Sequence, residues 1–184
     1  MKIVISESQY KRLIEAEEEQ KVLRIPSLKF FNDDWFILEK FLDHKGNPPY
    51  SIESDLYLER TRIESLGNLQ SVGGSLYLGN TPIESLGNLQ SVGGNLNLFQ
   101  TPIKSLGNLQ SVGGDLSLGN TPIKSLGNLQ YVGGNLSLRY TPIDSLGNLQ
   151  SVDGDLYLRG TPISKMYTKK EIRQMVNVGG NIYL

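Results

Sequence analysis

A repeat of 20 residues constrains this chain more than any other feature of its sequence. Five units follow one another without insertion over residues 65–164, and the second reads SLGNLQSVGGNLNLFQTPIK. A partial unit covers residues 51–64, and a divergent one, VGGNIYL, covers residues 178–184. A fixed period of this length predicts a solenoid, in which each unit packs on its two neighbours.

Each unit places apolar side chains in six columns. In the second unit they are Leu86, Leu89, Val92, Leu96, Leu98 and Ile103. The alternation over residues 95–98 predicts a short strand with its leucines inward and with Asn95 and Asn97 outward. Stacked equivalents form a parallel sheet with strands about 4.8 Å apart, so about seven coils make a rod on the order of 30 Å long.

Two corners of the coil are expected from glycine and proline. The pair Gly93-Gly94 precedes the strand, where glycine allows either a positive φ or a close approach of backbones. Pro102 fixes φ at a second corner. A threonine and an asparagine recur in every full unit, and we expect them to close backbone hydrogen bonds at the bends. The two columns are Thr81, Thr101, Thr121, Thr141 and Thr161, and Asn68, Asn88, Asn108, Asn128 and Asn148.

A solenoid needs caps, because its terminal coils otherwise expose the core. Residues 30–42 predict an N-terminal helix, with Asn32 or Asp33 as N-cap and Gly46 after its end. Its expected apolar side consists of Trp35, Ile37, Leu38, Phe41 and Leu42. Thr168 predicts a second helix over residues 169–176, before a last strand at 181–184. The expected divisions are an N-terminal peptide (1–24), a helical cap (25–50), the solenoid (51–164) and a C-terminal cap (165–184).

Composition removes most catalytic chemistry. The 184 residues include no cysteine and one histidine, His44, which excludes disulfides, thiol nucleophiles and cysteine or histidine metal clusters. Residues 1–50, 51–163 and 164–184 carry net charges of −1, −3 and +3, so no long basic stripe favours nucleic acid. No segment reaches the roughly 20 apolar residues that span a bilayer. We expect no enzyme, no cofactor, no metal site and no membrane contact, and a location in the cytoplasm or inside a virion.

The acidic residues of the repeat do not change this expectation. Asp55, Asp115 and Asp155 point outward from coils too far apart for one calcium site. Glu64 and Glu84 share a column in adjacent coils, where they are close enough for a carboxylate pair. The same column continues as Lys104, Lys124 and Asp144, which favours a ladder of exposed charges.

Residues 96–103, L-x-L-x-x-T-x-I, resemble the L-x-L-x-x-N-x-L core of leucine-rich repeats, with Thr101 in the place of the asparagine. The longer pattern S-L-x-N-L-x-x-V-G-G-x-L-x-L is similar to the receptor L-domain variant of that superfamily, whose coils are more β-helical. Gly93 stands where the first leucine of L-x-x-L-x-L falls, so a straight shape is expected. Together with the two predicted caps, the resemblance implies a mainly β fold, a right-handed parallel β-solenoid with a helical N-terminal cap and a short helix before the last strand.

The first 21 residues are not required by the solenoid. MKIVI predicts a short strand, and Ser6 with Gln9 makes a capping box for a following helix. This stretch resembles the targeting peptides of T-even-type bacteriophage internal head proteins, and Leu13-Ile14-Glu15 before Ala16 is similar to the cleavage pattern of prohead proteases. The alternative is an amphipathic helix that packs on the cap or joins two copies in a homo-oligomer. The repeats also resemble leucine-rich-repeat proteins of phages and environmental bacteria.

Function is expected where the units differ, at the outward strand positions. Variable side chains on a uniform skeleton are typical of a recognition surface, and tyrosine and arginine are enriched in binding hot spots. The candidate partner-binding residues are Tyr57, Tyr77, Asn97, Phe99, Arg139, Tyr140, Tyr157 and Arg159. We predict a noncatalytic binding protein whose partner is a protein. The alternative is a structural or head-packaged phage protein with a cleavable N-terminal peptide.

Overall fold

A computed structural model describes residues 22–184, so the expectations for residues 1–21 lie outside it. The chain forms a parallel β-solenoid in which each coil gives one short strand to each of two sheets. Sheet I contains β1 (Leu23–Ile25), β2 (Tyr50–Ile52), β4 (Leu69–Val72), β6 (Ser91–Val92), β8 (Ser111–Val112), β10 (Tyr131–Val132), β12 (Ser151–Val152) and β14 (Asn177–Val178). Sheet II contains β3 (Leu56–Tyr57), β5 (Leu76–Tyr77), β7 (Leu96–Asn97), β9 (Leu116–Ser117), β11 (Leu136–Ser137), β13 (Leu156–Tyr157) and β15 (Ile182–Tyr183).

The predicted strand and its inward leucines are confirmed in sheet II, but sheet I was missed. Residues pair with their equivalents one unit later, as Leu96 does with Leu116. Sheet I was missed because its inward residues do not alternate: Leu89 and Val92 are both buried, and two residues separate them. The expected strand at residues 95–98 is shorter in the structure, where only Leu96 and Asn97 are paired.

The six apolar columns form one continuous core. Leu96 and Leu98 are 1% and 0% exposed, and their equivalents in the other coils are buried as well. The threonine column is buried beside them, and each hydroxyl in it donates to the backbone carbonyl three residues earlier, as Thr101 does to Leu98 at 2.8 Å. This confirms that the threonines close backbone hydrogen bonds at a bend.

The glycine pair is required by a close approach between coils, not by a positive φ. Gly93 and Gly94 donate backbone hydrogen bonds to Val72 and Gly74 of the preceding coil, at 2.8 and 2.9 Å. A Cβ at Gly93 would overlap the carbonyl oxygen of Gly73. Positive φ occurs instead at the glycine of the S-L-G-N turn, such as Gly87 at 56°. Of the two roles left open by the sequence, the structure therefore selects the close approach.

The N-terminal cap differs from the prediction in its start. A 3-10 helix (Leu28–Phe31) comes first, and α1 (Trp35–His44) follows it. Asn32 and Asp33, the predicted N-caps, have left-handed backbones at φ 55° and 57° and link the two helices. Asp34 is the N-cap, and its carboxylate accepts from the amides of Phe36 and Ile37.

The apolar side of α1 is also narrower than expected. Trp35, Leu38 and Leu42 are buried and close the N-terminal end of the core. Ile37 is 43% exposed, and Phe41 is only partly buried, although it packs on the core. A helix that covers the end of a narrow solenoid buries one stripe of side chains, so the prediction that Ile37 faces the core is wrong.

The C-terminal cap contains two helices, α2 (Ile163–Met166) and α3 (Lys169–Met175). The prediction for α3 is confirmed, because Thr168 and Glu171 form a reciprocal capping box at its start. The hydrogen bonds from Thr168 lower the pKa of the Glu171 carboxyl. The sequence did not predict α2, which occupies positions that lie outside helices and strands in the preceding coils.

Arg173 of α3 ends the hydrogen-bond pattern of the corner between the sheets. In the inner coils the carbonyls of Val92 and Gly94 accept from the glycine amides of the next coil. The equivalent carbonyls of the last coil belong to Val178 and Gly180, and both accept from the guanidinium of Arg173. One planar side chain with parallel donors thus takes the place of a glycine pair.

We expect Gly113→Ala to lower the free energy of unfolding by about 1–3 kcal/mol, because its methyl group would overlap the Gly93 carbonyl and force the coils apart. Urea unfolding measures the change. Gly79→Ala is the matched control, since a Cβ there meets its neighbours at 3.5 Å or more, and it should stay within about 0.5 kcal/mol of wild type. Equal effects of the two substitutions would contradict the close-approach argument.

Arg173→Ala should cost about 1.5–3 kcal/mol, because two carbonyls lose charge-assisted hydrogen bonds. Hydrogen exchange should accelerate first in β14 and β15, the strands next to the lost contact. Lys169→Ala changes an exposed residue at the start of the same helix and serves as control. Uniform acceleration over all coils, or none, would contradict the role of Arg173 as an end cap.

Candidate binding face

The outward side of sheet II, with the turn that follows its strands, forms the sheet II face. The structure places all eight predicted partner-binding residues on this face or turn. Tyr57, Phe99 and Tyr140 are 66%, 36% and 54% exposed. Arg139 and Arg159 are exposed as well, whereas Tyr77, Asn97 and Tyr157 are half-buried because their neighbours lie against them.

Stacked tyrosines stand at both ends of the face. The rings of Tyr57 and Tyr77 lie 5.0 Å apart and 4° from parallel. Those of Tyr157 and Tyr183 lie 4.7 Å apart at 6°. Tyr183 was missed by the sequence analysis, because the inserted helix lengthens the last step beyond 20 residues, although the divergent unit VGGNIYL contains it. The coils between the two pairs carry Asn97, Ser117 and Ser137, so the middle of this column has small polar side chains.

The tyrosine pairs are held by contacts that leave little rotational freedom. Tyr57 donates its hydroxyl to Asp55 and Tyr157 donates to Asp155, both at 3.1 Å. These hydrogen bonds are the largest cause of a raised pKa at both tyrosines. The guanidinium of Arg139 lies 4.3 Å from the centre of the Tyr157 ring, within cation–π distance. Arg139, Tyr157 and Tyr183 therefore form one stack across three coils.

The outward aspartates belong to a ladder that ties the coils together. Its members are Asp55, Ser75, Asn95, Asp115, Asn135 and Asp155, and each side-chain oxygen accepts from the backbone amide at the same position of the next coil. The distances are 2.6 to 3.0 Å. The ladder explains these aspartates without a metal, and residues 22–184 contain no group of three or more acidic or histidine side chains that could hold one.

The middle of the face is shaped by Asn97 and Phe99. The amide of Asn97 accepts from the Phe99 backbone at 3.0 Å and donates to Glu59 at 3.3 Å, two coils away. The Phe99 ring leans over Gly119 of the next coil, where a Cβ would meet ring carbons at 3.3 and 3.5 Å. The Phe99 ring can pack here because Gly119 has no side chain. The Phe99 side chain nevertheless remains 36% exposed to solvent.

The next outward column lies in the turn after the strand and adopts the left-handed region. Arg60, Asn80, Gln100, Asn120 and Tyr140 have φ between 56° and 59°, and Gly160 has φ 79°. Asparagine and glycine tolerate this conformation better than other residues do. Tyr140 therefore occupies a backbone position that does not favour it.

Other predicted surface features lie away from the sheet II face. Lys104 and Glu84 form an exposed salt bridge at 2.7 Å, which confirms one step of the expected charge ladder. Tyr131 donates to Asp153 at 2.6 Å, and this hydrogen bond raises the pKa of its hydroxyl. Asparagines of the S-L-G-N turn link adjacent coils, as Asn88 does with Asn68 at 3.0 Å. These contacts account for their residues without a ligand.

Comparison with known proteins gives no match: no family model, curated protein or solved structure matches the chain. Membership of the leucine-rich-repeat superfamily therefore stays a prediction, while the parallel solenoid with its period of about 20 residues is shown. Within residues 22–184, no helix is both long and apolar enough to cross a membrane.

Proposed function

We propose that this chain is a noncatalytic binding protein, a leucine-rich-repeat-like solenoid that holds a protein partner on the sheet II face. The observation that carries the proposal is the contrast between two sets of positions. Inward and corner positions repeat almost without change, whereas the outward positions carry stacked tyrosines, a phenylalanine and two arginines. A uniform scaffold with a varied surface suits recognition by side chains.

Preorganisation of the aromatic groups supports binding. Binding is weakened when mobile side chains must become fixed, because they lose conformational entropy. Side chains that are already ordered before binding lose less. Tyr57, Tyr77 and Tyr157 are held by ring stacking, and Tyr57 and Tyr157 also donate their hydroxyls to carboxylates. Tyrosine and arginine also supply many of the residues that dominate protein interfaces.

The charge distribution favours a protein over nucleic acid. Glu59 and Arg60 lie at the N-terminal end of the face, and Arg139 and Arg159 lie towards its C-terminal end. A face with both signs complements a partner that has the opposite arrangement, and this gives orientation as well as affinity. A phosphate backbone would require positive charge along the whole length.

Replacement of Tyr77, Phe99, Arg139 and Tyr157 together by alanine should abolish partner capture, because it removes the aromatic and cationic groups of the face. Capture on the immobilised chain from extracts of the native host, followed by mass spectrometry, identifies the partner, and calorimetry with the purified partner measures the loss. Thermal unfolding should stay cooperative, with a midpoint only a few degrees lower because the stacking contacts are lost, so the chain is still folded in the capture assay.

The matched control replaces Gln90, Gln110, Gln130 and Gln150 by alanine, which changes four exposed side chains beside sheet I instead. This variant should capture the partner as wild type does. Undiminished capture by the sheet II variant, or equal loss in both variants, would reject the face assigned here.

The alternative function is that of a structural or head-packaged phage protein, for which the likeness of residues 1–16 is the supporting observation. It places the protein inside a virion, whereas a binding protein of the host cell would remain in the cytoplasm. An amphipathic helix that joins two copies is the competing role for the same residues.

Mass spectrometry of purified virions tests the alternative, because removal of a targeting peptide after Glu15 would give a form that begins at Ala16. Full-length protein confined to the soluble fraction of infected cells would contradict it. A concentration-dependent dimer that is lost when residues 1–21 are deleted would favour the helix contact instead.

A further inference from the structure

An open recess of about 650 Å³ lies at the C-terminal end of the left-handed column, beside the sheet II face. Its main lining residues are Tyr140, Pro142, Gly160, Pro162, Lys165 and Met166. Tyr140 and Met166 are 54% and 52% exposed, so the recess offers apolar surface to solvent. Its volume lies in the range of sites that take a bulky side chain or a small ligand.

Tyr140 occupies the left-handed column against its own backbone preference. Asparagine stands at the equivalent positions 80 and 120, where φ is 59° and 58°. Tyr140 adopts φ 58° with a bulky side chain, which this region disfavours. Residues held in such conformations cluster at functional sites, where the surrounding structure supports them. The position thus carries an aromatic group where asparagine would give a more stable turn.

Gly160 makes a second, matched departure in the next coil. A Cβ at this position would lie 2.6 Å from Cδ1 of Tyr140, so the ring rests on bare backbone. Tyr140 and Gly160 are neighbours in the left-handed column, and both line the recess. Positions 60, 80, 100 and 120 of that column carry neither tyrosine nor glycine.

Helix α2 completes the recess. In the preceding coils the residues after the Thr-Pro pair lie outside regular secondary structure, whereas here they form the helix Ile163–Met166. Lys165 and Met166 of this helix line the recess together with Pro142 and Pro162. The recess therefore belongs to one end of the solenoid and is not repeated along it.

We propose that this recess binds an acidic segment of a protein partner and takes up one aromatic or other bulky apolar side chain of that segment. Lys165 is the charged residue that lines the recess, and the exposed Arg159 directly precedes Gly160. Asp144, two residues after Pro142, is the nearest acidic residue along the chain. This inference rests on the proposed function, since it names the partner class for the C-terminal end of the same face.

The test uses two substitutions at positions of the left-handed column, one inside the recess and one outside it. Each replaces a residue that this backbone conformation disfavours by asparagine, which tolerates it. Tyr140→Asn and Gln100→Asn both introduce the residue that positions 80 and 120 already have, and both should raise the thermal midpoint by about 2–4 °C. The probe is a fluorescein-labelled peptide of aspartate and glutamate with one central tryptophan. Its counterpart has lysine at every acidic position.

Fluorescence anisotropy with the full chain should show that wild type binds the acidic peptide in preference to the basic one. Tyr140→Asn should weaken that binding about tenfold, as expected for the loss of an aromatic hot spot, while Gln100→Asn leaves it unchanged. Lys165→Glu should reduce the preference for the acidic peptide. Equal affinity for both peptides, or equal affinities of the two asparagine variants, would overturn the proposal.

Capture of the natural partner by the variants distinguishes a failure of this inference from a failure of the proposed function. If the four-residue sheet II variant loses capture while Tyr140→Asn captures normally, the recess proposal fails and the face proposal stands. If Tyr140→Asn loses the acidic peptide and the sheet II variant captures undiminished, the recess proposal stands and the assigned face fails.

Discussion

Hydrogen bonds between backbones at a fixed offset of one unit hold this molecule together. Each coil donates to and accepts from its neighbours in both sheets, so every unit must place the same atoms at the same positions. At the corner the backbones come so close that Gly93 and Gly94 leave no room for a side chain. The glycine pair recurs in most units because the corner leaves little space for a side chain. Asp153 takes the place of the first glycine in the last full unit, and its amide still donates to the Val132 carbonyl, at 3.0 Å instead of the 2.8 Å of Gly93.

The same requirement decides which side chains are available for recognition. Leucine, isoleucine and valine fill the core, threonine closes one bend, and the ladder from Asp55 to Asp155 uses its side-chain oxygens between coils. The outward position of each sheet II strand and the turn after it are among the positions that these tasks leave free to vary. Aromatic and cationic residues concentrate there, and their contacts with one another keep them ordered.

The sequence reveals the features that depend on the period and on local capping. The inward leucines, the buried threonines and the Thr168 cap were all predictable, because each depends on residues within one unit or one turn. Sheet I has no period-2 signal, because its buried residues Leu89 and Val92 are three positions apart. Asp34 was obscured by two equally suitable neighbours, Asn32 and Asp33. The stacking of Tyr183 and the bonds of Arg173 depend on how the last coil closes, which the period does not encode.

The guanidinium of Arg173 binds the last two corner carbonyls, which the glycine pair of a further coil would otherwise bind. This way of ending the solenoid does not depend on how many coils come before it. Duplication or loss of an internal unit in the gene would change the length of the rod by about 4.8 Å and leave both closures intact. Such a protein can evolve a longer or shorter contact surface in single steps without new solutions for its ends. The near-identity of neighbouring units fits growth of this kind, with later change confined to the exposed columns.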